Sequence, residues 1–491
     1  MEMTVADKDR LLSMKNIGMT ALDECLGRAA LCSFGGHPIQ AEAIDFPLVT
    51  FFHLDRTPTD ADMTILLNVL RTFPRFSAKV SCVKFKGNVE KDRLEWQKSE
   101  IHFNSHVFRH SVESPDQLRA LKEKLLIQQF NTSIPLFDVQ IINADPNYFS
   151  INNENILPPP IMAFRYSHVI GDGVHMVKVL ESLCTSMDNS KVKTLNFQRK
   201  KNAPKDGRSN MILLTLNGVG NLLKIVWLCF VGFAKATLTA IGPADSNTKI
   251  RQIPVKWTGR RTIVTSKSIS LDSIKECQKK LNCTVNDIVV SAMAGAIQAY
   301  MKNHGCTYAN QSSARMRAII PYAFPPKARK GEMDHDPKDL GNNFTFVSMR
   351  LPIGNHTPIQ RLQLTQKITS NLKRSPEAII VKAINVIVGM LGPAVQRKTL
   401  YDYMSRQSMV FTNIPGPIER IKCMGIPVNT IVFACPNLIN QVSVMSYAGN
   451  MRLTLVTDPN VVTNAEEIVD LFVEQMDLFK TTEPTIESTD V

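Results

Sequence analysis

The sequence lacks the features that mark several large classes of protein. Its ten cysteines form no C-x-x-C pair, and the spacing of the nearest two, Cys277 and Cys283, suits neither a metal site nor an easy disulfide. No zinc-finger spacing, aromatic-basic RNA-binding signature or short repeat is present, so nucleic acid is not an expected partner. The first residues, MEMTVADKDRLLSMKN, contain no apolar h-region. We therefore expect a cytosolic protein with reduced cysteines and no signal peptide.

Length and charge set the next limits. The chain has 491 residues, of which 44% are hydrophobic and 21% charged, a composition that indicates a globular protein. Chains of this length usually divide into two domains. The net charge of +13, from 57 basic and 44 acidic side chains, favours an anionic partner such as a phosphorylated cofactor or an anionic membrane surface.

Composition and periodicity divide the chain into four segments. These are an N-terminal extension over 1–45, an α/β region over 46–190, a basic and hydrophobic linker over 191–250, and a second α/β region over 251–491. Apolar residues at helical spacing predict helices at Asp62–Leu70, Val174–Met187, Thr284–Tyr300 and Asn464–Phe479. Short apolar or alternating runs predict strands at Ala78–Phe85, Ile134–Ile142, Ile161–Ser167, Ile426–Ala434, Val442–Tyr447 and Leu453–Thr457.

The linker contains a long apolar stretch, Met211–Gly242, between two basic clusters. About 20 apolar residues can cross a bilayer, but a single crossing would put the two α/β regions on opposite sides of the membrane. Lys224 and Lys235 lie about three turns apart on nearly the same helical face. This pattern favours a helix that lies in the membrane interface or re-enters it, with both lysines at the headgroup layer. The alternative is a buried helix pair in the protein core.

One loop carries residues suited to general base catalysis. His168, Asp172 and Gly173 form an H-x-x-x-D-G pattern inside YSHVIGDG, between a predicted strand and a predicted helix. An alcohol becomes a good nucleophile when a base of near-neutral pKa takes its proton, and imidazole suits that task. The carboxylate can hold the loop by pairing with a basic group, and the glycine leaves room for a substrate. The alternative is a histidine in a turn, with Asp172 capping the next helix.

Four further motifs accompany this loop. They are SIPLF at Ser133–Phe137, TVND at Thr284–Asp287, LGNN at Leu340–Asn343 and TNIPGP at Thr412–Pro417, together with Trp96, Phe103, His106 and Val107. In content and order, the set resembles the bifunctional wax ester synthase and diacylglycerol acyltransferase family across nearly the whole chain. The chain departs from the family pattern at two motif positions. Ser167 replaces the first of the family's two adjacent histidines, and Phe137 replaces a tryptophan. The N-terminal extension matches nothing in the family.

The resemblance implies an α/β fold of two chloramphenicol acetyltransferase-like domains with the active-site tunnel between them. His168 would be the base, and Asp172 would be structural and paired with an arginine. Substrate contacts are implied for Gly173, Pro135, Phe137, Asn286, Asp287 and Asn413. Asn286 would lie near the tetrahedral oxyanion, although helix or turn capping is the alternative role for Asn286 and Asn413.

The expected activity is that of an acyl-CoA-dependent O-acyltransferase, which moves a long-chain fatty acyl group to a lipid alcohol and forms wax esters, triacylglycerol or both. Expected partners are acyl-CoA, a long-chain alcohol or diacylglycerol, and a membrane surface on the cytosolic face of the endoplasmic reticulum or a lipid droplet. No cofactor is expected, since acyl-CoA is a substrate. No metal is expected either, because His102, His106 and His110 have no acidic or cysteine partner. The alternatives are a non-catalytic lipid- or acyl-binding protein of the same fold and a relative acting on a short or branched alcohol.

Overall fold

The computed structural model describes residues 23, 47–83, 93–144, 160–192, 227, 230, 233–234, 237–239, 242–256, 258–311, 314–324, 340–390 and 393–481. Helices in these ranges are α1 (Asp60–Leu70), α2 (Phe103–His106), α3 (Pro115–Ile127), α4 (Gly173–Leu183), α5 (Leu271–Lys280), α6 (Val285–Asn303), α7 (Pro358–Arg374), α8 (Glu377–Met390), α9 (Pro393–Ser405) and α10 (Ala465–Thr481). Strands are β1 (Pro47–Leu54), β2 (Ala78–Val83), β3 (Arg93–Lys98), β4 (Val107–Val112), β5 (Phe137–Ala144), β6 (Ile161–Ser167), β7 (Cys184–Ser186), β8 (Thr262–Thr265), β9 (Ile269–Ser270), β10 (Arg317–Ala323), β11 (Phe344–Arg350), β12 (Met409–Pro415), β13 (Ile421–Cys423), β14 (Ile426–Ala434), β15 (Asn440–Tyr447) and β16 (Asn450–Thr457).

Two main sheets organise the strands. The first has the order β4-β5-β6-β1-β14-β13-β7, and the second has the order β11-β10-β12-β15-β16-β8, with β9 paired to β16. Strands β2 and β3 form a separate antiparallel pair. Helix α1 packs over the core of the first sheet, whereas α6 and α10 pack over that of the second. Each sheet thus buries an apolar face against helices, which is the main source of stability in such a layered fold.

The predicted boundary at residue 251 needs correction. Strands β13 and β14 come from the C-terminal region, yet they complete the first sheet, where Val49 on β1 pairs with Ala434 on β14. The apolar face of β14 explains this placement, because Ile426 and Val428 are buried in the same cluster as residues of β1 and α1. The first domain is therefore not one continuous segment of the chain.

The predicted helices and strands are confirmed with shifts of their ends. The exception is the C-terminal part of Val174–Met187, which forms a strand instead of a helix. The helix predicted over Val174–Met187 stops before β7, because β7 pairs with β13 at the edge of the first sheet. Helix α6 begins at the predicted Thr284 cap, whose hydroxyl accepts from the Asp287 amide at 3.2 Å. The strand predicted over Ala78–Phe85 is observed as far as Val83, and its last two residues lie outside the described ranges.

An apolar cluster joins the two sheets. Val49 of β1 is buried in one cluster with Ile263 of β8 and Val456 of β16. Arg119 on α3 adds an ion pair to Glu466 on α10 at 2.8 Å. A fully buried apolar side chain contributes about 1.5–3 kcal/mol, whereas an exposed ion pair contributes about 0–1 kcal/mol. Burial therefore holds the sheets together, and side chains from both can meet at fixed distances.

The predicted membrane segment lies mostly outside the described residues. Lys224 and Lys235 both fall there, so their predicted headgroup positions stay predictions. Among the residues that are described, no helix has the length and apolar character needed to cross a bilayer. Residues 227, 230, 233, 234 and 237–239 are helical, in agreement with a helix within the Met211–Gly242 stretch.

Candidate active site

The loop between β6 and α4 carries His168 and Asp172, as predicted. Every residue of β6 is buried, and β6 lies between β1 and β5 in the first sheet. Asp172 caps α4 by accepting a hydrogen bond from the His175 amide at 3.1 Å. A loop held at both ends by rigid elements suits a catalytic side chain, because the side chain is then fixed in position.

His168 meets the second sheet. Its Nδ1 lies 3.1 Å from Oδ1 of Asn342, and its ring centre lies 4.9 Å from that of Phe344, the first residue of β11. The Asn342 amide nitrogen donates to the His168 carbonyl at 2.9 Å, so the amide oxygen is the atom that faces the ring. Because an amide oxygen only accepts, Nδ1 carries the proton. Nε2 keeps the lone pair that a general base needs.

The surroundings keep His168 neutral near pH 7. Burial disfavours the charged ring and lowers the pKa of His168 below its ordinary value, although hydrogen bonds and the charges of Asp172 and Asp23 act in the opposite direction. The side chain nevertheless keeps partial solvent access. A neutral, partly accessible imidazole is the form that can take a proton from an alcohol.

Asp172 clamps the loop to the segment before β11. One carboxylate oxygen accepts from Nδ1 of His175 at 2.7 Å, and the other accepts from the Asn343 amide at 2.8 Å. The Asp172 amide donates to the Gly341 carbonyl at 3.0 Å. The predicted arginine partner is wrong, because His175 in the first turn of α4 takes that place. Burial alone would raise the pKa of Asp172, but the His175 ring and the two backbone amides outweigh it and hold the pKa below its usual range.

Gly173 begins α4 beside open space. A methyl group on its Cα would meet no atom of a neighbouring residue within 4 Å, so packing does not require a glycine at this position. Gly171 differs, since a Cβ there would lie 3.1 Å from the Met176 side chain. The space beside Gly173 is thus open, and its substrate contact stays a prediction.

Pro135 and Phe137 do not line an open channel. Both are buried, and the centre of the Phe137 ring lies 5.1 Å from that of Phe76 and 4.5 Å from that of His106. Aromatic rings at such distances pack as a core. The substrate contacts implied for Pro135 and Phe137 are therefore corrected to core positions in the first domain, and His106 belongs to that core as well.

The ND and TNIPGP motifs meet each other. The Asn413 side chain on β12 donates to the Asn286 side chain at the start of α6. Asp287 is buried and caps α6, and its other oxygen accepts from the Thr369 hydroxyl at 2.7 Å, so its predicted substrate contact is corrected to a structural role. Within the described ranges, no hydrogen bond joins either asparagine to His168. The oxyanion contact of Asn286 stays a prediction.

The pairing of β10 with β12 in the second sheet stops near His168. Strands β10 and β12 pair at only two positions, the second being Ile319 with Val410, whereas β10 and β11 pair over seven. Past this point β10 and β12 are no longer paired, and β10 ends where Ala323 pairs with Phe344. Since Phe344 packs against His168, this unpaired stretch lies at the same end of the sheet as His168.

Three residues of this site are not revealed by the sequence. Asn342 and Asn343 belong to the LGNN motif, but the motif gives them no role, because the His168 ring that Asn342 contacts is 174 positions away in the chain. Asp23 lies in the extension that matches no motif, yet its buried carboxylate accepts from Arg75 and Asn342. In the sequence, Asn342 and Asn343 are marked only by their position as two adjacent polar residues directly before the buried strand β11.

Known proteins are similar to this chain in sequence. Residues 340–480 match the family model of the WS/DGAT C-terminal domain. The chain is 22% identical over 452 residues to wax ester synthase/diacylglycerol acyltransferase 8 of Arabidopsis thaliana, with 83% of this chain and 86% of that protein covered. It is 22% identical over 450 residues to the O-acyltransferase WSD of Acinetobacter baylyi, with 87% and 91% covered.

Solved structures share the fold. A wax ester synthase/diacylglycerol acyltransferase from Marinobacter aquaeolei matches with a TM-score of 0.57 at 13% identity, over 94% of this chain and 99% of that chain. A mutant starter condensation domain of rhizomide synthetase, solved with C8-CoA and Leu-SNAC, matches with a TM-score of 0.55 at 12% identity, over 98% of each chain. The predicted two-domain α/β fold and the predicted family resemblance are confirmed.

Proposed function

We propose that the chain is an acyl-CoA-dependent O-acyltransferase, because its motifs, its sequence relatives and its fold resemble those of the wax ester synthase/diacylglycerol acyltransferase family. It transfers a long-chain fatty acyl group to the hydroxyl of a lipid alcohol and so forms wax esters, triacylglycerol or both. The observation that carries the proposal is the position of His168 at the junction of the two sheets, with Nδ1 bonded to Asn342 and Nε2 available as a base.

The proposed reaction is a direct transfer. Nε2 of His168 takes the proton of the acceptor hydroxyl while the alcohol oxygen forms a bond to the thioester carbonyl carbon. The carbonyl electrons move onto the oxygen, and the oxyanion then re-forms the carbonyl as the carbon–sulfur bond breaks. The CoA thiolate leaves with the electron pair and takes the proton from the imidazolium, so the products are an ester and free CoA. This series of reaction steps requires no covalent acyl-enzyme intermediate.

The same network argues against a non-catalytic lipid-binding protein. Such a protein needs a cavity but gains nothing from a histidine held in one tautomer by Asn342 in a loop clamped by Asp172. Buried polar groups of this kind destabilise a fold unless every one of them is hydrogen-bonded. Their presence beside His168 therefore favours the enzyme.

The tunnel between the domains is part of the proposal. The space beside Gly173 and the unpaired stretch between β10 and β12 both lie toward the His168 loop, and we propose that each of them is open to substrate. We propose that the acyl-CoA thioester and the acceptor hydroxyl reach Nε2 through these openings and are bound at the same time.

An initial-rate assay tests the proposal. Purified full-length protein is given labelled palmitoyl-CoA with a long-chain alcohol, diacylglycerol or a short branched alcohol in parallel. We expect labelled ester with a lipid acceptor and intersecting double-reciprocal lines, because both substrates bind before transfer. Absence of ester with every acceptor would refute the activity, and parallel lines or a trapped acyl-cysteine would refute direct transfer.

We further propose that the linker holds the enzyme on the cytosolic face of the endoplasmic reticulum or a lipid droplet. Trp227, Phe230, Phe233 and Leu238 are exposed by 63%, 62%, 55% and 64%, and their spacing puts them on one side of a helix. We call these four residues the apolar stripe. An exposed apolar stripe in a chain of net charge +13 fits an interfacial helix on an anionic leaflet, close to the dissolved lipid alcohol.

Vesicle co-sedimentation tests the membrane contact. Trp227→Ser combined with Phe230→Ser and Phe233→Ser should weaken binding to phosphatidylserine-containing vesicles by more than about tenfold, because the aromatic side chains supply the buried area. Wild-type binding should also fall as salt rises. The matched control is Ile379→Ser with Ile387→Ser, an exposed apolar pair on α8. If the control variant lost vesicle binding and the stripe variant kept it, the membrane contact would lie at α8 and not at the stripe.

A further inference from the structure

Asp23 reaches the active site from the N-terminal extension. It is fully buried and helical, and its two carboxylate oxygens accept from the Arg75 guanidinium at 2.9 and 3.1 Å. The first oxygen also accepts from the Asn342 side-chain amide at 2.9 Å. Asn342 is the residue that faces Nδ1 of His168, so Asp23 is one residue removed from the base.

The contacts of Asn342 determine which way its amide points. Its nitrogen has two hydrogens, and the two shortest contacts are to the Asp23 carboxylate and the His168 carbonyl, each at 2.9 Å. Neither partner can donate, so the nitrogen stays on their side and the oxygen stays on the side of His168. A hydrogen bond to a carboxylate is roughly twice as strong as one between neutral groups. Asp23 therefore supplies the stronger of the two constraints.

Arg75 supports the same arrangement. It balances the charge of Asp23, donates to the Val169 carbonyl in the catalytic loop at 2.8 Å, and lies 5.2 Å above the Trp96 ring. Lys382 of α8 donates to the Asn343 side chain beside this network. Among the described residues, the charged or titratable groups that bond within the network itself include Asp23 from the extension, Arg75 after α1, and Asp172 with His175 at the start of α4. They belong to three separate parts of the chain.

We propose that the N-terminal extension provides a positioning residue for catalysis, in which Asp23 fixes Asn342 and thereby holds His168 in the Nδ1–H tautomer. The role rests on the proposed acyltransferase function of His168, and it gives the extension a part in the reaction. A purely structural anchor would need only the Asp23–Arg75 pair. The hydrogen bond from Asn342 is the feature that such an anchor does not require.

The tautomer of His168 tests this role without turnover. In full-length protein with ¹⁵N-labelled histidine, long-range ¹H–¹⁵N spectra report which ring nitrogen is protonated, and His168 is identified by its loss in His168→Gln. Wild type should show a protonated Nδ1. Asp23→Asn should show a mixture of tautomers, together with a kcat lowered by about tenfold to a hundredfold and an unchanged KM for acyl-CoA.

Asp23→Glu and Asp272→Asn complete the experiment. Asp23→Glu keeps the charge beside Arg75 but displaces the carboxylate from Asn342, so it should lose tautomer order and kcat while remaining folded, and it serves if Asp23→Asn fails to fold. Asp272→Asn, an exposed acid on α5, should match wild type. A wild-type tautomer and kcat in a folded Asp23 variant would overturn the role. Absence of acyl transfer in wild type would refute only the proposed function, since the spectra need no substrate.

Discussion

The His168 junction and the Asn286–Asn413 pair differ in what surrounds them. The first is largely buried, joins the two sheets, and combines side-chain hydrogen bonds with a charged carboxylate at Asp172. The second lies within the C-terminal region and is a partly exposed bond between two neutral amides. Polar contacts shielded from water are stronger and cost more when broken. The comparison supports our proposal that the chemistry takes place at the first, whereas the second ties β12 to α6.

The largest effect should come from the base itself. His168→Gln should lower kcat by about two to four orders of magnitude, because the alcohol loses its proton acceptor, while the unfolding midpoint changes little. The measurement is ester formation from labelled acyl-CoA. His304→Gln is the matched control, since His304 pairs with Glu467 in the C-terminal region. Near-wild-type turnover in a folded His168→Gln protein would remove the assigned role.

Removal of the tautomer-setting amide should have the next largest effect. Asn342→Ala should lower kcat by about tenfold to a hundredfold, because Nδ1 loses its acceptor and the ring can turn or change tautomer. Steady-state kinetics should show a smaller change in KM than in kcat. Asn429→Ala, which removes an exposed partner of Arg420, is the control. Equal kinetics for both variants would contradict the role assigned to Asn342 at the His168 junction.

Asp172→Asn should act mainly on stability. The carboxylate accepts from three N–H groups, and an amide would turn an NH₂ group toward one of them. The free energy of unfolding should fall by about 1–3 kcal/mol, with a loss of activity. Because the folded-state pKa of Asp172 is lowered, its ionised form stabilises the fold above the unfolded pKa, and this contribution is lost as pH falls through the folded pKa. Urea unfolding at neutral and acidic pH measures both effects, and a fully stable but inactive variant would assign Asp172 directly to the chemistry.

The smallest effect should come from the asparagine pair. Asn286→Ala and Asn413→Ala should each change kcat by less than about threefold, and the two should couple in stability by about 0.5–1.5 kcal/mol in a double-mutant cycle. A loss of about a hundredfold to a thousandfold in Asn286→Ala alone is the size seen when an oxyanion donor is removed. Such a loss would show that Asn286 contacts the oxyanion, and that the Asn286–Asn413 pair takes part in the chemistry as the His168 junction does.

The two regions also show how far the sequence alone can lead. Local signals were sufficient for the loop, because Asp172 caps a helix and His168 follows a buried strand, and both features depend on nearby residues. The contacts of Asn342 and Asp23 depend on how distant segments meet, and neither periodicity nor spacing records that. The placement of β14 in the first sheet has the same cause. Its alternating pattern predicts a strand, but the pattern does not determine with which strands it pairs. An aromatic motif residue such as Phe137 has the same sequence pattern in a core and in a channel wall, so the sequence does not distinguish a packing role from a substrate contact.

The pH profile of kcat/KM for full-length wild type tests the central claim most directly. The pKa of His168 is lowered by burial, and the base must be neutral to act. The rate should therefore rise with pH through a single acid limb whose midpoint lies below the ordinary histidine value of about 6.5, and should stay level through neutral pH. Removing the negative charge in Asp23→Asn should move that midpoint further down. An acid limb centred above pH 7, or a rate that falls as pH rises from 6 to 7, would contradict the account of His168 as a neutral base held ready by Asn342.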